Sequence, residues 1–284
     1  MLAGCSTYLG PGPAEDPAVE SYTLDRVMKD LVYTPGDWPQ ALAGDLYLPA
    51  RRGSLPVVLA VHGGGWANRG REDMEDVSRK LVQHGYAVFN IGYRFAPRYT
   101  YPAQLHDLQQ ALRWLAANAS RYQLDLERIN TWGYSSGAHL AALLGSYEDA
   151  DRAADLPRIN AVVAGGTPSD LRKYSGSPIV MRFMGGDRDE LPDRYADASP
   201  ATHISAGDPP VFLYHGKLDY LVTIDQATDY YEALHAAGID AELYLKSWRG
   251  HMSMFLFGGD AEDRAIAFLN RQNSPRSVSS AGRD

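Results

Sequence analysis

The sequence is poor in cysteine, in basic residues and in long apolar runs, and each shortage excludes a class of protein. One cysteine among 284 residues rules out an intrachain disulfide and a metal site built from cysteine ligands. Acidic residues outnumber basic ones by 35 to 27, which gives a formal net charge of −8. A nucleic-acid partner, which needs clustered Lys and Arg, is therefore not expected. No stretch reaches the roughly 18 to 20 uninterrupted apolar residues of a membrane-spanning helix.

The chain has enough hydrophobic residues to form the core of a large single domain. Hydrophobic residues make up 45% of the sequence and aromatic residues 11%, and large α/β folds reach this length as one domain. No internal repeat or low-complexity linker divides the middle of the chain. We expect an N-terminal tether or leader remnant at 1–20, a catalytic domain at 21–270 and a disordered tail at 271–284, because both ends are rich in Gly, Pro or Ser.

The single cysteine, Cys5, lies in a short motif near the N-terminus. The sequence Leu2-Ala3-Gly4-Cys5 resembles the lipobox of bacterial lipoproteins, in which the cysteine is acylated. The basic and apolar segments of an export signal are missing before it. Two hypotheses stay open. In one, the chain was trimmed upstream, and the protein is exported to the periplasm or lipid-anchored at Cys5. In the other, the match is coincidental and the protein is cytoplasmic.

Short apolar runs alternate with helical patterns along the chain. The predicted strands are 55–61, 86–91, 129–132, 159–165, 210–216 and 241–246, and the predicted helices lie near 74–82, 102–118, 138–145, 223–237 and 261–270. This alternation predicts an α/β fold with a mostly parallel twisted sheet and helices on both faces, because a parallel crossover needs a helix-length connection. Ligands bind such sheets at the carboxyl ends of the strands.

A candidate nucleophile lies where a predicted strand passes into a helix. Ser135 stands between Gly133 and Gly137, and small neighbours allow a turn tight enough to project the hydroxyl. A serine hydroxyl needs an imidazole to take its proton and a carboxylate to orient that imidazole. Asp219 and His251 each follow a predicted strand directly. Their order along the chain, Ser-Asp-His, is the order of the α/β-hydrolases.

A glycine-rich stretch, 62-HGGGW-66, follows the first of the predicted strands. When an ester carbonyl is attacked, negative charge develops on its oxygen. Backbone N–H groups aimed at that oxygen are worth about 3 to 4 kcal/mol each. Glycines allow the main chain to approach this closely, so the stretch is a candidate oxyanion hole.

Taken together, these motifs and 93-YRFAP-97 resemble the carboxylesterase branch of the α/β-hydrolases over about residues 30–270. The resemblance implies an α/β-hydrolase fold. It also implies that Ser135 is the nucleophile, His251 the general base and then acid, and Asp219 the orienting carboxylate. It further implies oxyanion-hole N–H groups from Gly64, Gly65 and Ser136.

Within that branch, 198-ASP-200, 209-PPVFLYHG-216 and the short connection after Gly165 resemble bacterial feruloyl and acetyl esterases and kynurenine formamidase-like enzymes. Two positions depart from the usual pattern. Ala138 stands where many relatives have a second glycine, and Phe95 stands where Leu is usual. Neither change removes a catalytic group.

Other residues compete for these roles. Asp225 is an alternative to Asp219, but it begins a helical pattern, where helix capping explains it. We expect His215 to be structural and His62 to organise the glycine loop. No His-Glu-x-x-His run or comparable spacing appears, so we predict no metal site. We also expect Asp107 to form a structural ion pair, with Arg94 as the candidate partner.

These residues predict a serine carboxylesterase that acts through an acyl-enzyme on a small-molecule ester and needs no cofactor. The segment 167–208 is too short for a large helical lid, which favours short or aromatic acyl groups. The same residues would also serve an amidase, a formamidase or a peptidase. A third hypothesis is a non-catalytic α/β-hydrolase used for binding, although no member of the expected triad is missing.

Overall fold

The structure is a computed structural model that describes residues 6–11, 21–146 and 156–274. Its strands are β1 Thr7–Leu9, β2 Leu24–Val32, β3 Ala43–Pro49, β4 Leu55–Val61, β5 Ala87–Ile91, β6 Leu124–Tyr134, β7 Ile159–Gly165, β8 Val211–Gly216 and β9 Ala241–Lys246. Its α-helices are α1 Glu75–Gln83, α2 Ala103–Tyr122, α3 Ser136–Ser146, α4 Pro178–Met184, α5 Pro192–Asp197, α6 Asp225–Ala236, α7 His251–Phe257 and α8 Asp260–Asn273.

The strands form one sheet in the order β1-β9-β8-β7-β6-β4-β5-β3-β2. The six strands from β9 to β5 run parallel to one another, while β1 at one edge and β3 and β2 at the other are antiparallel to their neighbours. The prediction of a mostly parallel sheet is confirmed. Because these strands are parallel, the carboxyl ends of β4, β6, β8 and β9 lie at the same edge of the sheet.

Helices cover both faces of the sheet, as predicted. Residues of α2, α3 and α6, such as Leu105, Leu140 and Leu234, pack in the core on one face. Residues of α1 and α8, such as Leu81 and Phe268, pack on the other. Strand β4 contributes to both layers by alternation, because successive strand residues point to opposite faces. The sheet is therefore a rigid base for the loops at its carboxyl edge.

The edge strands β1, β2 and β3 were not predicted from the sequence. Strand β2 reads LDRVMKDLV and is partly exposed along its length, so its sequence lacks the apolar run of a buried strand. Strand β1, which pairs with β9, lies inside the segment that was predicted to be a tether. At the other end, α8 continues to Asn273, so the first three residues of the predicted tail, 271–273, are helical. The Asn273 side chain binds Asn130, which holds this last turn against β6.

Leu2–Cys5 and the remainder of the predicted tail lie outside the described residues, so the lipobox and tail remain predictions. In the described part of the chain, no helix is both long and apolar enough to cross a membrane. Between 167 and 208 the chain forms only short helices, including α4 and α5, and packs them onto the body through buried residues such as Phe183 and Tyr195. No large helical lid is present in this segment, as predicted.

Candidate active site

The turn that carries Ser135 requires its two glycines. Ser135 has a φ of 55°, in the left-handed region that non-glycine residues rarely adopt. A Cβ atom on Gly133 would lie 2.3 Å from the carbonyl oxygen of Gly137, and one on Gly137 would lie 2.1 Å from the carbonyl oxygen of Val61. Any side chain here would push α3 away from the sheet. The strained turn is thus held by contacts that only glycine permits, and it presents the Ser135 hydroxyl at the end of β6.

The structure brings the three predicted side chains together. Nε2 of His251 lies 2.9 Å from Oγ of Ser135, and Nδ1 of the same ring lies 2.6 Å from Oδ2 of Asp219. Asp219 and His251 are buried, while Ser135 is half-buried. With Nδ1–H donating to the carboxylate, Nε2 is left to accept from the serine hydroxyl. The chain of contacts therefore has the geometry required to remove a proton from Ser135.

The carboxylate of Asp219 is fixed from both sides. Its Oδ1 accepts hydrogen bonds from the backbone N–H groups of Leu221 and Val222 at 3.0 and 2.9 Å, while Oδ2 faces His251. Burial opposes ionisation, but the hydrogen bonds from His251 and from the N–H of Val222 outweigh it and hold the pKa of Asp219 below its usual value. The alternative acid, Asp225, pairs instead with Lys173 at 2.8 Å. It is the first residue of α6, the helix start at which it was predicted to lie.

His251 is anchored through its main chain. The hydroxyl of Tyr134 donates a 2.6 Å hydrogen bond to the carbonyl oxygen of His251. Tyr134 directly precedes Ser135, so one end of β6 positions both the serine and the base. The first turn of α7, which contains His251, is fixed as well, because the N–H of Gly250 donates to Oγ of Ser253 at 2.9 Å.

The glycine loop borders the same cavity as Ser135. Gly64 and Gly65 have positive φ values of 113° and 59°, and a Cβ on Gly64 would lie 2.1 Å from the carbonyl oxygen of Asn68. The main chain can fold this tightly only with glycine there. Gly64, Gly65 and Ser136 all line the cavity next to Ser135.

The next residue of this loop, Trp66, is held by a buried clamp that the sequence did not predict. Trp66 also has a positive φ, 55°, which is rare for so bulky a residue. Its Nε1–H donates to Nδ1 of His139 at 3.2 Å, and its ring stacks on Phe183 with centroids 4.3 Å apart. Nε2 of His139 donates in turn to the carbonyl oxygen of Ala198 at 2.6 Å. Burial lowers the pKa of His139 to about 4, which keeps the ring neutral and able to accept from Trp66.

A signal for this clamp was present in the sequence, because His139 lies four residues after Ser135, in α3. The position of His139 in the sequence does not identify its partners, because Trp66 and Ala198 are 73 and 59 positions away from it. The contact depends on how α3, the glycine loop and the segment after β7 fold together.

The two histidines predicted to be structural make main-chain contacts. Nδ1 of His62 lies 2.7 Å from the carbonyl oxygen of Gly63, and its ring stacks on Tyr93. Nε2 of His215 lies 2.8 Å from the carbonyl oxygen of Val222 and 3.5 Å from the carboxylate of Asp219. Burial lowers the pKa of both rings. His62 thus supports the glycine loop, and His215 supports the turn that carries Asp219.

The predicted ion pair between Arg94 and Asp107 is confirmed. Nε of Arg94 lies 2.8 Å from Oδ1 of Asp107, and both side chains are buried. Nε1 of Trp38 donates to the same carboxylate oxygen at 2.8 Å. The pair joins the chain after β5 to α2 and makes no direct contact with Ser135.

The cavity above Ser135 has a volume of about 280 Å³. One wall comes from the segment after β7, with Tyr174, Ile179, Val180 and Arg182, and the opposite wall from the loops after β8 and β9, with Leu221, Val222, Met252 and Phe255. Among the described residues, no group of three or more His, Asp or Glu side chains is placed to hold a metal ion.

The sheet order and the Ser135 turn together define a protein of the α/β-hydrolase class. The profile of the BD-FAE family matches residues 44–234, more than half of the chain. The carboxylesterase NlhH of Mycobacterium tuberculosis is 31% identical over 251 residues, which cover 78% of this chain and 76% of NlhH. This chain belongs to the BD-FAE family, in the carboxylesterase branch of the α/β-hydrolases.

Other relatives are longer than this chain. LipM of Mycobacterium tuberculosis, a probable carboxylic ester hydrolase, is 30% identical over 210 residues, which cover 68% of this chain but only 48% of LipM. The chain thus spans about half the length of this relative. A solved structure of a truncated carbohydrate esterase from gut microbiota superposes with a TM-score of 0.80 and 23% identity, covering 92% of this chain and 99% of that one. This similarity shows the shared fold.

Proposed function

We propose that the protein is a serine carboxylesterase. The observation that carries this proposal is the hydrogen-bonded series from Asp219 through His251 to Ser135, at 2.6 and 2.9 Å, at the bottom of a cavity bordered by the glycine loop. The names of the relatives, carboxylesterase NlhH and carboxylic ester hydrolase LipM, support the same activity.

In the first half of the proposed reaction, Oγ of Ser135 attacks the ester carbonyl carbon while Nε2 of His251 takes the hydroxyl proton. The negative charge of Asp219 stabilises the imidazolium and holds its tautomer. The N–H groups of Gly64, Gly65 and Ser136 donate to the carbonyl oxygen as it becomes an oxyanion. His251 then gives its proton to the alcohol oxygen, the carbon–oxygen bond to the alcohol breaks, and the acyl group stays on Ser135.

In the second half, water takes the place of the alcohol. His251 removes a proton from the water, whose oxygen attacks the acyl carbon, and the oxyanion forms in the same place. His251 returns the proton to Oγ of Ser135 as the acid leaves.

Turnover of p-nitrophenyl acetate by Ser135→Ala tests the proposal. We expect the activity to fall by at least about 10⁴-fold, with an unchanged denaturation midpoint, because the nucleophile is lost but its turn is kept. Ser136→Ala is the matched comparison. It should keep most of the activity, because its expected contribution comes from the main-chain N–H. If Ser135→Ala turned over the ester normally, the nucleophile would have to be another residue.

Ester and amide hydrolysis can be separated with matched substrates. We propose ester preference, because the relatives named by activity are esterases. A p-nitrophenyl ester and the p-nitroanilide of the same acid should show a much higher kcat/KM for the ester. Turnover of the anilide alone would favour the amidase hypothesis, and turnover of neither, with a folded protein, would favour a binding role.

The cavity volume and its walls support a small acyl group. A space of about 280 Å³ between Tyr174, Ile179 and Met252 accepts an acetyl group or one aromatic acid, with the alcohol directed toward the opening. A series of esters graded from acetyl to long acyl chains, with a feruloyl ester included, should show kcat/KM falling as the chain outgrows the cavity. A rise toward long chains would contradict this acyl preference and leave the proposed triad untouched.

For localisation, we propose that Cys5 is acylated after export, on the basis of the Leu2-Ala3-Gly4-Cys5 motif. Metabolic labelling with an alkyne fatty acid in a bacterial host, with the native upstream sequence included, tests this. Label in the wild type and none in Cys5→Ser is the expected result. Equal absence of label in both proteins would support the cytoplasmic alternative.

A further inference from the structure

Most of the large apolar side chains that are exposed lie on the segments that form the cavity. The described residues contain ten of them, and eight lie at the cavity opening or on the loops that form it: Ile179, Leu218, Tyr220, Leu221, Trp248, Met252, Leu256 and Phe257. The remaining two, Leu9 and Val32, lie on the edge strands β1 and β2. Scattered apolar residues are ordinary on a protein surface, but a contiguous group marks an interaction site. We call these eight residues the apolar rim.

The segments that carry the rim residues are neighbours in the fold. The N–H of Leu218 donates to the carbonyl oxygen of Arg249 at 2.8 Å, which joins the loop after β8 to the loop that carries Trp248. Met252 and Leu256 lie one turn apart on α7 and so share a face of that helix. Ile179, Leu221 and Met252 also line the cavity. These three rim residues thus border the cavity itself, beside charged lining residues such as Arg69 and Arg182.

We propose that the apolar rim docks on the surface of a phospholipid bilayer, with the cavity opening toward the lipid. Six of the eight rim side chains have no nitrogen or oxygen atom and suit the acyl region. The other two, Trp248 and Tyr220, are 78% and 86% exposed and belong to the two residue types enriched at membrane interfaces. Docking in this orientation would deliver amphiphilic esters from the lipid to the cavity.

Other occupants fit the rim less well. A second copy of the chain on this surface would cover Ile179, Leu221 and Met252 and close the route into the cavity. A polysaccharide would bring many hydroxyl groups against six side chains that cannot hydrogen-bond to them, which is unfavourable. A lipid surface avoids both problems, because it matches the rim chemically and can itself contain the substrate.

The N-terminal segment meets the body next to the rim. Ser6 Oγ accepts a hydrogen bond from the Tyr244 hydroxyl at 3.0 Å, and Thr7 Oγ1 accepts one from Nζ of Lys217 at 2.7 Å. Lys217 is directly followed by Leu218 of the rim. A lipid on the residue before Ser6 would therefore be attached on the same side of the molecule. Two weak membrane signals acting together are the usual basis of stable attachment.

Sedimentation with phosphatidylcholine vesicles tests the docking without any need for catalysis. We expect wild type and Ser135→Ala, both expressed without acylation, to bind equally, at low and at high salt, because apolar contacts are not screened. The triple variant Trp248→Asn/Leu256→Gln/Phe257→Gln should lower the vesicle-bound fraction by about tenfold or more, since it removes three large apolar side chains. None of these three residues lines the cavity, so turnover of a soluble acetyl ester should be retained. Val32→Gln, at the opposite edge of the sheet, is the matched control and should bind like wild type.

Tryptophan fluorescence gives a second measurement that does not depend on the triple variant folding. Vesicles should shift the emission of wild type to shorter wavelength. Trp248 has a φ of 61°, in the left-handed region, which asparagine tolerates well, and Trp248→Asn should lose this shift. Failure of wild type to bind vesicles, or equal binding by the triple variant, would overturn the proposal. So would a wild-type dimer that the triple variant dissociates, or rim-dependent retention on an insoluble polysaccharide without vesicle binding. Loss of ester turnover in Ser135→Ala concerns the proposed hydrolysis alone.

Discussion

Two sets of loops meet over Ser135, and they are built in opposite ways. The inner loops, 62–66 and 133–137, are packed against the sheet and against each other, with backbone in left-handed conformations that glycines and buried hydrogen bonds hold in place. The outer loops, 217–224 and 247–257, carry the base and the acid on their buried side and large exposed apolar residues on the other. The inner loops fix reacting groups in position, whereas the outer loops combine that task with contact to the surroundings.

The comparison shows where substitutions should matter. In the inner loops a Cβ added to Gly64, Gly133 or Gly137 would lie 2.1 to 2.3 Å from main-chain atoms, so changes there should affect folding and chemistry together. In the outer loops the buried side chains Asp219 and His251 should affect chemistry only, and the exposed residues should affect neither folding nor turnover of a soluble ester.

The largest effect is expected from Asp219→Asn in the outer loops. The amide cannot hold His251 in the tautomer that accepts from Ser135, so kcat should fall by about 10⁴-fold with little change in stability. Steady-state kinetics on p-nitrophenyl acetate measures this. Asp225→Asn, which breaks only an exposed pair with Lys173, should change kcat by less than about twofold. Equal losses in the two variants would mean that the acid has been misassigned.

Gly137→Ala should disrupt the packing of the inner loops through a steric clash. The added methyl group would lie 2.1 Å from the carbonyl oxygen of Val61, and we expect a loss of about 3 kcal/mol or more in the free energy of unfolding. Gly36→Ala is the control, because its Cβ would meet nothing within 4 Å; its effect should stay within about 0.5 kcal/mol. Urea denaturation compares the two. A Gly137→Ala protein as stable as wild type would show that the turn can relax.

Acid should lower the stability of the protein through His139, which accepts a hydrogen bond from Trp66 of the inner loops. Burial lowers its folded-state pKa to about 4, below the unfolded value of about 6.5. The unfolded chain therefore binds the proton more readily, and the stability contributed by the neutral ring is complete above pH 6.5 and is lost as pH falls toward 4. The full contribution is on the order of 3 kcal/mol. Urea midpoints measured from pH 7.5 to 4 should fall less steeply in His139→Gln, and parallel curves would contradict the assignment.

The smallest effect compares the same substitution in both sets of loops. Trp66→Phe keeps the stacking on Phe183 but leaves Nδ1 of His139 without its donor. This should cost about 1 to 3 kcal/mol of stability and lower kcat more than it changes KM, because the glycine loop shifts. Trp248→Phe, at an exposed position in the outer loops, should leave stability and soluble-ester kinetics unchanged. Similar losses in both variants would remove the distinction between the loops.

The inner and outer loops also differ in how well the sequence predicts them. Ser135, Asp219 and His251 each follow a strand whose apolar run is easy to recognise, and parallel strands bring their carboxyl ends together, so the contact among the three could be expected. The clamp of Trp66 and His139 could not, because hydrogen-bond pairing between distant buried residues leaves no periodic pattern.

The edge strands and the apolar rim escaped prediction for related reasons. Strand β2 has charged residues along its exposed side, and β1 has only three residues, so neither resembles a buried strand. The sequence of α7, 251-HMSMFLF-257, is typical of core or of a pocket wall beside the base, and Met252 does line the cavity, yet Met252, Leu256 and Phe257 are also exposed. Apolar composition alone does not tell which side of a short helix faces solvent. With seven residues, α7 has fewer than two turns, which is too short for a periodic pattern to show its buried side.

The short strand β1 also protects the sheet. By pairing Thr7–Leu9 with β9, it occupies main-chain N–H and C=O groups that would otherwise form a free edge. A shortened protein that starts after residue 11 would keep every residue of the proposed site and yet expose β9 to strand addition by neighbouring molecules. Its shelf life in concentrated solution, measured by light scattering, should therefore be shorter than that of the intact chain even where its initial turnover is the same.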